Sequence, residues 1–203
     1  MMRFRLATWN INSVRLRLDL VERFLKAEAP DVLCLQEIKC QEHQFPRAAF
    51  EAMGYPHVAV TGQKGYHGVA TVSRIPLRKT GRLDLCSDGH ARHVSVVLDE
   101  GSSNIKPLIL HNFYVPAGGD IPDPEANDKF KHKLDFLDAL TEWSKAHRTK
   151  SKNRMILVGD LNVAPLPNDV WSHKQLLKVV SHTPPETERM AEALASHDWI
   201  DVM

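Results

Sequence analysis

The sequence predicts a mixed α/β protein in which stacked β-sheets are flanked by helices. Three observations predict it. The first forty residues read as strand, helix, strand. Residues 56–113 carry several short strand-like runs separated by loops rich in Gly, Ser, Asp and Pro. A long amphipathic helix follows and leads into a further apolar strand.

Residues 3–8 alternate and then turn apolar, so the opening strand delivers Asn10 at its carboxyl end. Asn12 or Ser13 is expected to cap a helix whose apolar stripe is Val14, Leu18, Val21 and Leu25, and Pro30 ends it. Residues 31–35 form a second buried strand that delivers Gln36-Glu37. Residues 42–53 predict a short helix closed by Gly54. The period then changes, and residues 57–60, 68–72, 93–98 and 107–113 read as strands. Residues 115–126 are a Pro/Gly/Asp loop without regular period, and a loop of that length in a compact domain is more often functional than idle. Phe130, Leu134, Leu137, Leu140 and Trp143 mark the long helix, with Trp143 in the core and Lys129, Lys131 and Lys133 on a solvated face. Residues 145–153 read as a basic connector, and residues 169–180 and 186–195 as helices.

Between the connector and those helices, Met155-Ile156-Leu157-Val158 runs into Gly159-Asp160-Leu161-Asn162. This reads as a buried strand that stops at a tight turn and projects two polar side chains. Taken alone, Asp160 and Asn162 could do no more than make that turn.

The length of 203 residues suits one α/β or α+β domain. A formal net charge of +1 excludes a uniformly basic nucleic-acid coat but leaves room for a local basic face. Cys34, Cys40 and Cys86 have no metal-ligand spacing; Cys34 is expected buried, and a reduced, cytoplasmic chain is the simpler reading. The amino terminus is too poor in apolar residues for a signal peptide, and no run approaches membrane-spanning length.

Four strands thus deliver polar residues at their carboxyl ends: Asn10, Glu37, the stretch Asn112 to Tyr114, and Asp160 with Asn162. Oxygen donors with few nitrogens and no sulfur suit a hard divalent cation such as Mg²⁺, which keeps waters for phosphate substrates. His67, His90, His93 and His111 read as structural or surface histidines.

At this point the residues resemble a known family. Trp9-Asn10-Ile11-Asn12, Leu35-Gln36-Glu37-Ile38-Lys39, Tyr114-Val115-Pro116 and Gly159-Asp160-Leu161-Asn162-Val163-Ala164-Pro165 resemble, in order and at family spacing, the exodeoxyribonuclease III family of apurinic/apyrimidinic endonucleases. Asn168-Asp169-Val170-Trp171 and the run from Ser181 to Glu186 look similar too. The resemblance implies a four-layer α/β sandwich, two mixed β-sheets flanked by helices, with the active site along one edge. It implies that Glu37 ligates the metal with Asn10 nearby, that Asp160 activates the attacking water, and that Asn162 stabilises charge developing on the phosphate. It implies that Tyr114 touches the scissile phosphate as a hydrogen-bond donor or phenolate-like partner. Asn12, Arg15, Lys39 and Lys64 become candidates for DNA contact; for Arg15 and Arg17 a plain solvated helix face weighs about evenly. The implied cofactor is Mg²⁺, with Mn²⁺ as its substitute. The implied partner is double-stranded DNA with abasic sites or 3′ ends, bound by a monomer without a membrane. The implied reaction is hydrolysis 5′ to abasic sites and removal of nucleotides from 3′ ends.

The family pattern continues for several tens of residues beyond Met203, where it brings a further Asp at a metal position, a second catalytic Asp and a paired His. Residues 1–203 are therefore expected to be a single domain of this kind, incomplete at its C-terminal end, with an open edge on the second sheet and little or no nuclease activity alone. Two other readings stand beside the repair nuclease. One is a superfamily hydrolase of the phosphoinositide phosphatase or sphingomyelinase type. The other is a non-catalytic DNA-binding remnant. Lys39 after Ile38 and the Ala164-Pro165 pair fit the repair branch better than the first of these.

Overall fold

The computed structural model describes residues 3–98, 107–150 and 154–202. The chain forms two compact units: Met1–Asp84, Gly89–Tyr114 and Lys152–Asp160 make the first, and Leu85–Asp88, Val115–Ser151 and Leu161–Met203 the second.

The first unit holds two four-stranded sheets. One, in the order β1-β2-β4-β3, is built from β1 (Leu6–Asn10), β2 (Val32–Gln36), β3 (His57–Thr61) and β4 (Val69–Ser73). The other, in the order β5-β6-β7-β8, is built from β5 (Leu77–Gly81), β6 (His93–Leu98), β7 (Leu108–Tyr114) and β8 (Arg154–Asp160). Both are mixed: β1 and β2 run parallel, β7 and β8 run parallel, and the other pairings are antiparallel. The parallel β1–β2 pair is joined by α1 (Leu18–Glu28), the crossover that the opening pattern predicts.

Strand period 2 sorts the first sheet into two faces. Leu33 and Leu35 of β2, with Val60, Ala70 and Val72, join a core under α1 and α2 (Arg47–Ala52) that includes Val21, Leu25 and Phe50. Their neighbours Val32 and Cys34, with Ala59 and Val69, join a second core with Val94, Val96, Leu98, Leu108 and Leu110 from the second sheet. β2 is thus buried on both faces, which is why its sequence is continuously apolar instead of alternating. Cys34 is a small hydrophobe of this inter-sheet layer, its thiol pushed up to about 12 by burial despite the Thr71 hydroxyl beside it.

Several boundaries differ from the sequence reading. α1 begins at Leu18, not at Asn12 or Ser13, because those two residues adopt positive φ (46° and 86°) and turn the chain away from a helix start. Residues 42–53 form a 3₁₀ turn (Glu42–Gln44) and then α2, divided by Pro46, which has no N–H for a continuous helix. β5 went unread because its residues Leu77–Gly81 are mostly polar and exposed.

The second unit is helical. α3 (Asp128–Lys150) absorbs residues 145–150 of the expected connector; residues 151–153 lie outside the described residues. Residues 169–180 contribute the end of a 3₁₀ turn (Pro167–Asp169) and the single turn of α4 (His173–Leu176), not a continuous helix. α5 (Pro184–Ser196) starts with a capping box in which the Glu186 carboxylate accepts from the Thr183 N–H at 3.1 Å and from its hydroxyl at 2.6 Å. Trp143 is half-buried, against His147, and so is not a core residue. Lys133 is the larger departure. It lies on the buried stripe of α3 at 0% side-chain exposure, not on a solvated face. Among the described residues no helix is long and apolar enough to cross a membrane.

Candidate active site

The inter-sheet faces of four strands lose their apolar character at the same end. The even-numbered positions run Leu6, Thr8, Asn10 on β1 and Val32, Cys34, Gln36 on β2. They run Leu108, Leu110, Asn112, Tyr114 on β7 and Ile156, Val158, Asp160 on β8. Register aligns the polar ends, with Asn10 opposite Gln36 and Tyr114 opposite Asp160. Parallel pairing within each sheet makes these ends carboxyl ends, where α/β folds place ligands.

Gln36 and Asn112 form the floor. The Gln36 amide donates to the Asn112 carbonyl oxygen at 2.7 Å and to Thr8 at 3.0 Å. The Asn112 amide donates to the backbone carbonyls of Leu35 and Ala70 at 3.2 and 3.0 Å. Both side chains are buried and satisfied, so they tie the two sheets together below the site.

Above the floor, Asn10, Glu37, Tyr114 and Asp160 converge. The Asn10 amide donates to Glu37 Oε1 at 2.9 Å and to Asp160 Oδ2 at 2.7 Å, bridging two carboxylates. The Tyr114 hydroxyl donates to the same Glu37 Oε1 at 2.7 Å. Lys39 Nζ pairs with Glu37 Oε2 at 3.0 Å and also donates to the Asn12 side-chain oxygen. Burial alone would raise the Glu37 carboxyl. Donation from Asn10, Tyr114 and Lys39, together with the Lys39 charge, outweighs burial and holds it below its ordinary value. Tyr114 moves the opposite way: burial, then its bond to Glu37 and that carboxylate's charge, push the phenol far above its ordinary range. Tyr114 is therefore a neutral phenol whose O–H is given to Glu37.

Local backbone supports the placement. Glu37 and Lys39 adopt positive φ (51° and 49°), unusual for such side chains. They are held there by Ser13 N–H to Glu37 C=O at 2.7 Å and Lys39 N–H to His67 C=O at 2.9 Å. Strain maintained by its surroundings is a common property of functional sites.

The donor set fits a hard divalent cation. Glu37 is ionised, Asp160 is a second carboxylate on the same bridging amide, and neither group is sulfur; the Asn10 amide nitrogen faces both carboxylates while its oxygen accepts the Asn12 N–H at 3.1 Å.

The remaining expected residues fall as follows. Asn12 is exposed, and its backbone carbonyl accepts from Arg17. Arg15 and Lys64 are exposed. Asn162 belongs to the second unit, at φ 50°, with its amide donating to the Val115 carbonyl at 2.9 Å. Sequence reasoning missed Arg92. Its guanidinium lies 5.0 Å from the Tyr114 ring centre and within 3.3 Å of the Tyr114 carbonyl, and it reaches His67 Nε2 at 3.4 Å. The only signal was an arginine directly before a strand, which reads as a solvated strand end.

Comparison with known proteins places the chain in a family. The chain is 30% identical over 164 residues to exodeoxyribonuclease III of Haemophilus influenzae, which covers 80% of this chain and 59% of that protein. An AP endonuclease structure from Archaeoglobus fulgidus is 30% identical with a TM-score of 0.80, over 95% of this chain and 70% of the other. The 3′ phosphatase NExo from Neisseria, solved bound to a product DNA hairpin, is 29% identical with a TM-score of 0.80, over 96% of this chain and 71% of the other. Residues 7–195, which contain every side chain of the convergence, match the endonuclease/exonuclease/phosphatase family, and the chain belongs to it.

Proposed function

We propose that this chain carries the active site of a metal-dependent DNA phosphodiesterase of base-excision repair. Its reactions are incision 5′ to abasic sites and removal of nucleotides from 3′ ends of duplex DNA. The observation that carries the reading is the convergence of Asn10, Glu37, Tyr114 and Asp160, two carboxylates bridged by one amide beside a neutral phenol. The AP endonuclease and exodeoxyribonuclease relatives support DNA as the substrate. Metal dependence belongs to the family; Mg²⁺, or Mn²⁺ in its place, is our assignment.

Glu37 and Asn10 would hold the metal, which when bound polarises the phosphate and stabilises the leaving oxygen. Asp160 accepts the proton of the attacking water. Tyr114 donates a hydrogen bond toward the phosphate when it leaves Glu37. Asn162, two residues beyond Asp160 along the chain, donates to the oxygen on which charge develops. Arg15 and Lys64, exposed and cationic, contact the DNA backbone without reading sequence.

The test uses the complete gene product and a duplex with one abasic site. Incision should require Mg²⁺ and stop with EDTA. Asp160→Asn should lower the incision rate by about a thousandfold while binding is kept, the order expected when a reacting group is removed. Incision that survives Asp160→Asn would sink the reading. Binding without incision, unchanged by that substitution, would favour a non-catalytic DNA-binding module.

A further inference from the structure

The second unit contains a buried ion pair that the proposed chemistry does not use. Lys133 Nζ lies 2.5 Å from Glu186 Oε1, and both side chains are 0% exposed. The ammonium also donates to the backbone carbonyls of Asn162 at 2.6 Å and Ala117 at 3.2 Å, and to the Ser181 hydroxyl at 3.3 Å. Glu186 in turn accepts from the N–H groups of Ser181 and Thr183 and from the Thr183 hydroxyl. Three loops therefore meet on one lysine: the strap after Tyr114, the turn after Asp160 and the entry to α5.

The loops are shaped around its stem. At Gly118 (φ 92°) an added Cβ would sit 2.8 Å from Lys133 Cδ and 3.0 Å from Val180. The turn is pinned again where Ala164 N–H donates to the Ser181 carbonyl at 2.8 Å and its own carbonyl accepts from His182 at 2.6 Å. A buried ion pair adds little stability over an apolar pair of similar volume. Geometric constraint accounts better for a charge in this core than stability does. The atom it constrains most closely is the Asn162 carbonyl, the shortest of its backbone contacts.

We propose that Lys133 is a positioning residue: its buried ammonium, held by Glu186, fixes the Asn162 backbone so that the Asn162 amide is presented for charge stabilisation. This rests on the nuclease reading, and the experiment separates the two. In the complete gene product, Lys133→Met with Glu186→Gln removes both charges at similar volume. The expected result is a fall in kcat on abasic duplex of about 10- to 100-fold, with KM unchanged. In an Asn162→Ala background the same pair should cause no further fall. A fall of equal size in that background overturns the proposal, because the effect would then bypass Asn162.

A second arm needs no cleavage. In ¹⁵N–¹H spectra the Asn162 side-chain amide signals, identified by their loss in Asn162→Ala, should move in the folded paired variant; unmoved signals overturn the proposal. Should the paired variant not fold, the unsubstituted protein decides. Its Lys133 ammonium protons should exchange slowly and couple across the hydrogen bond to the Asn162 carbonyl carbon, and fast exchange without coupling overturns the proposal. Absence of cleavage by the unsubstituted protein would refute the nuclease reading, and the two spectroscopic arms would still decide the role of Lys133.

Discussion

Glu37 shows how one side chain's state is set by its neighbours. Its Oε1 receives two donors and its Oε2 an ammonium, so its folded-state pKa is depressed although burial opposes this. A depressed carboxyl contributes stability above its unfolded pKa and loses it as pH falls through the folded value. Tyr114→Phe deletes one donor. We expect the Glu37 carboxyl, followed by ¹³C NMR titration, to move back toward the ordinary glutamate range. The fold should persist at a cost of about 1 kcal/mol, the usual net value of one hydrogen bond. An unmoved titration would show that the Tyr114 hydroxyl does not control the charge at Glu37. On duplex DNA the same variant should cleave more slowly, since the neutral phenol donor is gone.

At the scale of elements, the site depends on how closely β7 and β8 approach at their carboxyl ends. Gly159 sits directly before Asp160 at φ 148°, and a Cβ there would lie 1.9 Å from the Phe113 carbonyl oxygen. The clash is with backbone, so no side-chain rotation relieves it. Gly159→Ala should therefore destabilise the protein by about 3 kcal/mol or more, seen as a lowered urea midpoint; a midpoint within error of the parent would contradict the strand pairing. In the described residues β8 is the last strand of its sheet, and it is partly buried along its whole length, with Ile156 and Val158 packed against the inter-sheet core.

At the scale of the whole molecule, acid sensitivity has a specific source. His93 is 1% exposed. Its Nδ1 accepts the Leu83 N–H at 2.9 Å, so its proton sits on Nε2, which donates to His111 Nδ1 at 3.0 Å. Burial, then the charge of neighbouring His111, hold its pKa well below 6.5. The unfolded chain binds this proton near 6.5 while the folded chain does not, so stability is present above that pH and declines below it. Urea midpoints at pH 7.5 and 5.5 should differ, and His93→Phe should flatten the dependence. An equally steep dependence in that variant would assign it elsewhere.

The sequence by itself determined the opening strand–helix–strand, the apolar strands on either side of the long helix, the burial of β2 and the four polar strand ends, because periodicity and apolar runs are local properties; the polar, exposed β5 carries no such signal. The resemblance of its short motifs to a known family also pointed to Asn10, Glu37, Tyr114 and Asp160. Tertiary structure alone decided which atoms meet: that Asn10 bridges two carboxylates, that the Tyr114 hydroxyl donates to Glu37, and that Arg92 packs on its ring. It also reversed Lys133. That residue lies three after Phe130 and four before Leu137, on the apolar stripe, yet its charge argued for solvent. The partner that makes its burial tolerable, Glu186, is more than fifty residues away in the chain. Only the fold brings a compensating carboxylate to a buried ammonium, and no local pattern can announce it.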